Sequence, residues 1–164
     1  MGKGNTRLVV SALKWLISNY EKMNIRILNI SVGMLASARR EEQEELLAAI
    51  EAVWDAGIVV VAAAGNNGPK DKSITIPGLC RKIITVGSSD DEEGEVKNLG
   101  LMRGYSGRGP TEACIMKPEV VAPGTAIVSC KRMGNGYEMK SGTSMATPVV
   151  AGAVAVLLSR YSNL

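Results

Sequence analysis

Apolar residues early in the chain recur at helical spacing. Leu8, Val9, Ala12, Leu13, Leu16, Ile17 and Tyr20 fall on one stripe, which predicts a helix from about Thr6 to Tyr20 with Trp15 near its buried edge. The period then changes. Ile25 to Ser31 (Ile-Arg-Ile-Leu-Asn-Ile-Ser) is rich in β-branched residues, ends at Gly33 and is too short to compete as a helix, so it predicts a strand. A second helix follows: Ser37 or a neighbour caps it, Glu41, Glu42, Glu44 and Glu45 occupy its first turns, and Leu46, Leu47, Ala49, Ile50, Val53 and Trp54 form its core face. Carboxylates suit the positive end of the helix dipole, and Gly57 closes the element.

Ile58 to Ala64 is an unbroken apolar run, the pattern of a parallel strand buried on both faces, and Lys82 to Gly87 resembles another. Helix, strand, helix, strand in alternation predicts an α/β fold: a doubly wound, mostly parallel sheet with helices on both faces. Ala126 to Lys131 and Tyr137 to Lys140, separated by Gly134-Asn135-Gly136, predict a β-hairpin. It delivers the chain to a last helix, about Ser144 to Tyr161, whose residues Val149 to Leu158 are apolar almost all round. Such a helix is expected to run buried through the middle of the domain.

Composition narrows the class. The 164 residues suit one domain, able to bury roughly 70% of the surface of its unfolded chain. With no phenylalanine, the core must come from Val, Ile, Leu and Ala. The net charge of +3 is scattered, without a Lys/Arg block, which argues against a nucleic-acid partner. No apolar run reads as long enough to span a bilayer and no secretory leader is expected at the start of the chain, so no membrane is expected. Cys80, Cys114 and Cys130 are odd in number and lack Cys-x-x-Cys spacing, which argues for reduced, unliganded thiols and a cytoplasmic setting rather than a secreted one. The acidic run Asp90 to Glu95 does not match an EF-hand and is expected to be a solvated loop.

Two segments carry candidate chemistry. Ser144 lies in Ser141-Gly142-Thr143-Ser144-Met145-Ala146-Thr147-Pro148 at the mouth of the last helix. It reads either as an ordinary cap or as a nucleophile whose attacked carbonyl would face the helix dipole and the Ser144 amide. Gly65-Asn66-Asn67-Gly68 reads either as a left-handed turn or as a platform on which the Asn66 amide donates to an oxyanion. A serine hydroxyl needs a base to take its proton, and this chain contains no histidine.

Gly142-Thr-Ser-Met-Ala-Thr-Pro148, with Ala63-Ala64-Gly65-Asn66 and Asn29-Ile30-Ser31-Val32-Gly33, resembles the subtilisin-like serine proteases (subtilases, peptidase S8). Tyr105-Ser-Gly-Arg-Gly-Pro110 and Lys117-Pro-Glu-Val-Val-Ala-Pro-Gly124 strengthen the resemblance, which covers essentially the whole chain and is closest to the intracellular branch. It implies a serine endopeptidase in which Ser144 is the nucleophile and Asn66 the oxyanion amide. Ser31, Val32 and Gly33 would pair with the substrate backbone, and Ala63, Ala64 and Gly65 would wall the pocket for the residue before the scissile bond. It further implies a cis bond at Ile76-Pro77, no required cofactor, and a weak site for calcium or sodium at the carbonyls of Gly78, Cys80 and Ile83 with Glu119.

The family's catalytic aspartate and its His-Gly-Thr-His type motif lie upstream of the matched region, and neither occurs in this chain. Val149 stands where a histidine commonly follows the proline, a position that is not the general base. The expectation is a C-terminal part of a peptidase domain, inactive alone, with peptide or protein as substrate. Without the N-terminal strands, the edge beside Ile25 to Ser31 would invite self-association. Two rivals remain: a non-catalytic peptide-binding or assembly module using strand addition, and a nucleotide-binding domain. The second lacks both a G-x-G-x-x-G turn and a Walker loop.

Overall fold

A computed structural model describes residues 5–34, 40–91 and 103–161. Helix α1 spans Thr6–Met23. The Asn5 side chain caps it by accepting from the Arg7 amide at 3.0 Å, and Asn24 ends it in the left-handed conformation. Strand β1 (Ile27–Ile30), helix α2 (Arg40–Asp55) and strand β2 (Val59–Ala63) follow. Strands β3 (Ile84–Ser88) and β4 (Val120–Ala122) complete a parallel sheet in the order β1-β2-β3-β4. The expected alternation of helix, strand, helix and strand holds, and the connection from β2 to β3 is a loop. Strands β5 (Ile127–Cys130) and β6 (Tyr137–Lys140) form the predicted antiparallel hairpin, which leads into helix α3 (Thr143–Arg160).

Alternation along β2 builds three layers. Val60 and Ala62 face α1 and α2, where Val10, Leu13, Leu16, Leu46, Ile50 and Val53 complete one core. Val61 faces the other way, with Val86, Ala122 and Ala146, toward α3. Helices therefore cover both faces of the sheet, as the sequence predicted.

The buried stripes differ in detail from the expectation. On α1 the buried set is Val10, Leu13 and Leu16, whereas Leu8 is 69% exposed and Trp15 55% exposed. Val9, Ile17 and Tyr20 of the predicted stripe pack against the same core, so the stripe is shifted only at its edges, where Val10 turns inward. On α3 only Thr143, Ala146 and Thr147 are buried, while Val149, Val156 and Leu157 face outward. Among the described residues the helix is thus not enclosed: one side lies on the sheet and the other is open. By length and composition α3 would also be able to span a bilayer, contrary to expectation, yet here it packs on β1 to β4. The predicted cap at Ser37 and residues 92–95 of the acidic run lie outside the described residues.

The start of that acidic run is not solvated. The Asp90 carboxylate accepts from the amides of Gly124 (2.8 Å) and Thr125 (3.0 Å) and from Ser88 Oγ (2.8 Å), while buried Asp91 accepts from the Ser106 amide at 2.8 Å. Asp90 thus ties the end of β3 to the turn between β4 and β5, and Asp91 ties it to the loop at Ser106. Burial pushes the Asp90 carboxyl upward, but its hydrogen bonds outweigh that effect and hold it below the ordinary aspartate range. A depressed folded-state value means that the stabilisation is complete above the unfolded value of about 3.9 and is lost as pH falls through the lower folded value. Replacing Asp90 by Asn should therefore lower the urea midpoint at neutral pH and flatten its decline on acidification, measured from about pH 6 to about pH 2.

Candidate active site

At the carboxyl ends of β1 and β2, where open α/β sheets gather their chemistry, the chain forms a cleft of about 810 Å³. Its lining includes Ser31, Val32, Gly33, Ala63, Gly65 and Asn66, together with Ser144. Segments far apart in sequence meet there because parallel pairing of β1 with β2 aligns their ends, and α3 begins directly beneath them.

Thr143 is the joint. Its amide and its Oγ1 both donate to Asn66 Oδ1, at 2.9 and 3.1 Å, while Oγ1 accepts from the Gly65 amide at 3.1 Å. Thr147 Oγ1 returns to the Thr143 carbonyl at 2.7 Å. With its Oδ1 held by two donors, the Asn66 amide leaves its Nδ2 hydrogens for whatever occupies the cleft. Gly142 is required in this corner: its φ is 147°, and a Cβ there would lie 3.0 Å from Asn66 Nδ2.

Ser144 is the second residue of α3, so its amide belongs to the first turn, whose N–H groups have no partner within the helix. Its Oγ donates to the Ser31 carbonyl at 2.8 Å. A carbonyl orients a hydroxyl but cannot take its proton. Among the described residues lining the cleft there is no carboxylate, imidazole or thiol, so none of them offers the hydroxyl a base.

Ser31 to Gly33 run along one side, with Val32 62% exposed. Paired bonds between Met34 and Ile76 (2.9 and 3.0 Å) hold this segment against the opposite loop. Ala63 and Gly65 line the facing side, but Ala64 does not: it is fully buried, bonded through its amide to Val86 and through its carbonyl to Thr75. Thr75 is a site residue that the sequence did not mark. Its side chain fills the space beside Gly33 and Gly65, where a Cβ on either glycine would collide with its hydroxyl. The Ile76–Pro77 bond is cis, as the resemblance implied, and Pro77 lines the cleft.

The expected weak cation site is built differently. Lys117, whose side chain has no exposure, donates from Nζ to the Ile83 carbonyl at 3.0 Å and pairs with Glu119 Oε1 at 2.5 Å. Glu119 Oε2 accepts from the Thr85 amide, and the Gly78 carbonyl accepts from Thr85 Oγ1, both at 2.8 Å. The carbonyl cluster thus has an ammonium group among its donors, and the residues do not fit a calcium or sodium ion: Lys117 supplies the positive charge. Cys80 is buried beside Glu51, and burial pushes its thiol up, consistent with an unreactive side chain.

The subtilase family profile (peptidase S8) matches residues 1–164. The chain is 37% identical to serine protease AprX of Bacillus subtilis (strain 168), covering 99% of this chain and 41% of that protein. It is 33% identical to subtilisin DY of Bacillus licheniformis, covering 99% of this chain and 52% of the relative. Among solved structures, S41 psychrophilic protease superposes with a TM-score of 0.79 at 29% identity, over 100% of this chain and 53% of the other. Sphericase superposes with a TM-score of 0.78 at 26% identity, over 99% and 52%. The chain spans about half the length of the relatives it matches.

Removing the Lys117 ammonium should leave the partly exposed Glu119 and the Ile83 carbonyl without their partner. Lys117→Met is expected to destabilise by about 3 kcal/mol, the lower end for a broken buried pair because Glu119 reaches solvent. Thermal denaturation with and without added calcium checks both points: the wild-type melting temperature should not respond to the ion.

Proposed function

The chain belongs to the subtilase family, and from that premise we propose that it forms the nucleophile-bearing part of a serine endopeptidase acting on peptides or proteins. The observation that carries this reading is the joint at Thr143, which sets Ser144 at a helix N-terminus beside an Asn66 amide whose Nδ2 hydrogens remain available. In the proposed step Ser144 Oγ attacks the scissile carbonyl carbon and its proton passes to a base from outside these residues. The carbonyl electrons collect on an oxyanion held by the Ser144 N–H and Asn66 Nδ2. Collapse releases the amine with that proton and leaves an acyl-enzyme, which water hydrolyses. Losing one oxyanion donor costs roughly 10²- to 10³-fold in turnover, a range obtained in subtilisin, a member of the same family.

Histidine is absent from the chain, and loss of the histidine base costs about 10⁶-fold in kcat, again a subtilisin value. The bond from Ser144 to the Ser31 carbonyl supports the same conclusion: the isolated chain is inert, and the base and its aspartate are supplied with the N-terminal part of a subtilase domain. Among the described residues, the open side of α3 and the edge position of β1 support docking of that part. Free thiols at Cys80, Cys114 and Cys130 support a reducing, cytoplasmic setting.

Intact mass after treatment with a fluorophosphonate tests the assignment, with Ser144→Ala as control. Labelling at Ser144 is expected only when an N-terminal subtilase half carrying the aspartate and histidine is added. Labelling of the isolated chain would overturn the claim that it is inert, and no labelling in either mixture would favour a non-catalytic peptide-binding module. In sedimentation velocity the chain alone should self-associate through β1, and the added half should replace that contact. A monomer at high concentration would sink this second expectation.

A further inference from the structure

The described lining of the cleft contains a single charged group. Among the described residues that line it, every side chain is apolar or neutral except that of Arg132. Arg132 lies in the turn of the β5–β6 hairpin, and β6 runs straight into the Ser141–Ser144 segment. The Lys131 amide closes that turn on the Gly136 carbonyl at 3.1 Å, and the Ala126 amide donates to Ser141 Oγ at 2.7 Å, pinning the base of the hairpin. The guanidinium and the Ser144 hydroxyl therefore hang from one hydrogen-bonded stretch of chain.

No described residue neutralises it. Glu138, the hairpin's acidic residue, is paired with Lys140 at 2.6 Å, and Arg132 makes no hydrogen bond or ion pair among the described residues. A guanidinium presents a planar fork of donors that matches a carboxylate. Beside an otherwise uncharged groove, its field discriminates among ligands by charge.

We propose that Arg132 is a specificity-determining residue that draws an acidic side chain of the bound peptide into this cleft. The inference rests on reading the cleft as a peptide site, not on the competence of Ser144. An exposed ion pair of this kind is a modest effect, equivalent to roughly a two- to fivefold difference in affinity.

The test uses the full chain carrying Ser144→Ala and C-terminally amidated extended peptides bearing a neutral fluorophore. Each peptide set differs only by Glu, Gln or Lys at one position, and that position is walked along the sequence. In fluorescence anisotropy the Glu peptide should bind roughly two- to fivefold tighter than its Gln counterpart at one or two adjacent positions. The advantage should shrink with added salt, disappear in Arg132→Gln and pass to the Lys peptide in Arg132→Glu. Equal binding of Glu and Gln peptides at every position, no binding at all, or an advantage that persists in Arg132→Gln would overturn the proposal. Amidation removes the terminal carboxylate as an alternative source. An acidic preference without cleavage by the complemented wild-type chain would refute the peptidase reading alone, whereas cleavage without any acidic preference would refute this inference alone.

Discussion

One buried threonine joins the two halves of the candidate site. Thr143 has no solvent exposure, and its hydroxyl and amide link the end of β2 to the start of α3 through Gly65 and Asn66. Each group in this small network satisfies another, so the penalty for breaking one bond includes leaving a buried donor or acceptor unpaired. Without it the Asn66 amide would be free to turn and the first turn of α3 would lose its registration with the sheet. Gly142 permits the joint by combining a positive φ with close approach to Asn66. The cleft thus owes its geometry to a side chain flanking the serine as well as to the serine itself.

Much of the framework was legible in the sequence because burial leaves periodic marks. The unbroken run at β2, the Gly-Asn-Gly turn of the hairpin and the stripe of α2 all became the elements they predicted. Strand β4 left no such mark: its three residues, within the four between Pro118 and Pro123, are too few for a pattern to declare itself. The stripe of α1 was legible at Val9, Leu13, Leu16, Ile17 and Tyr20, but its edges were not: Leu8 and Trp15 face outward and Val10 inward, because apolar residues occupy more than one side of that helix and α2 decides where the buried side ends. For α3 an apolar composition told correctly of a helix that seeks cover, but one face finds none within these residues.

Buried charge was harder to read. Asp90 looked like part of a solvated acidic run because its partners, the amides of Gly124 and Thr125, lie more than thirty residues further on. Lys117 sits in a motif that suggested carbonyls and a carboxylate around an ion, yet its own ammonium lies among them. Thr75 and Arg132 belong to the cleft through loop and hairpin geometry alone, with no spacing to announce them. Ser144 and Asn66 drew attention because their motifs are specific, and both line the cleft; the hydrogen bonds that orient them left no mark in the sequence.

The bond from Ser144 to Ser31 spans 113 positions of the chain, and the bonds from Thr143 to Asn66 span 77. Closing such long loops carries an entropic cost that only the nearly finished fold can offset, and contacts of this separation slow folding. The helices and the β1–β2 pair can form among near neighbours, whereas the cleft must wait until both ends of the sequence have found each other. A polypeptide halted partway through synthesis would therefore own most of a sheet and no cleft. The site is a product of completed folding, not one of its early landmarks.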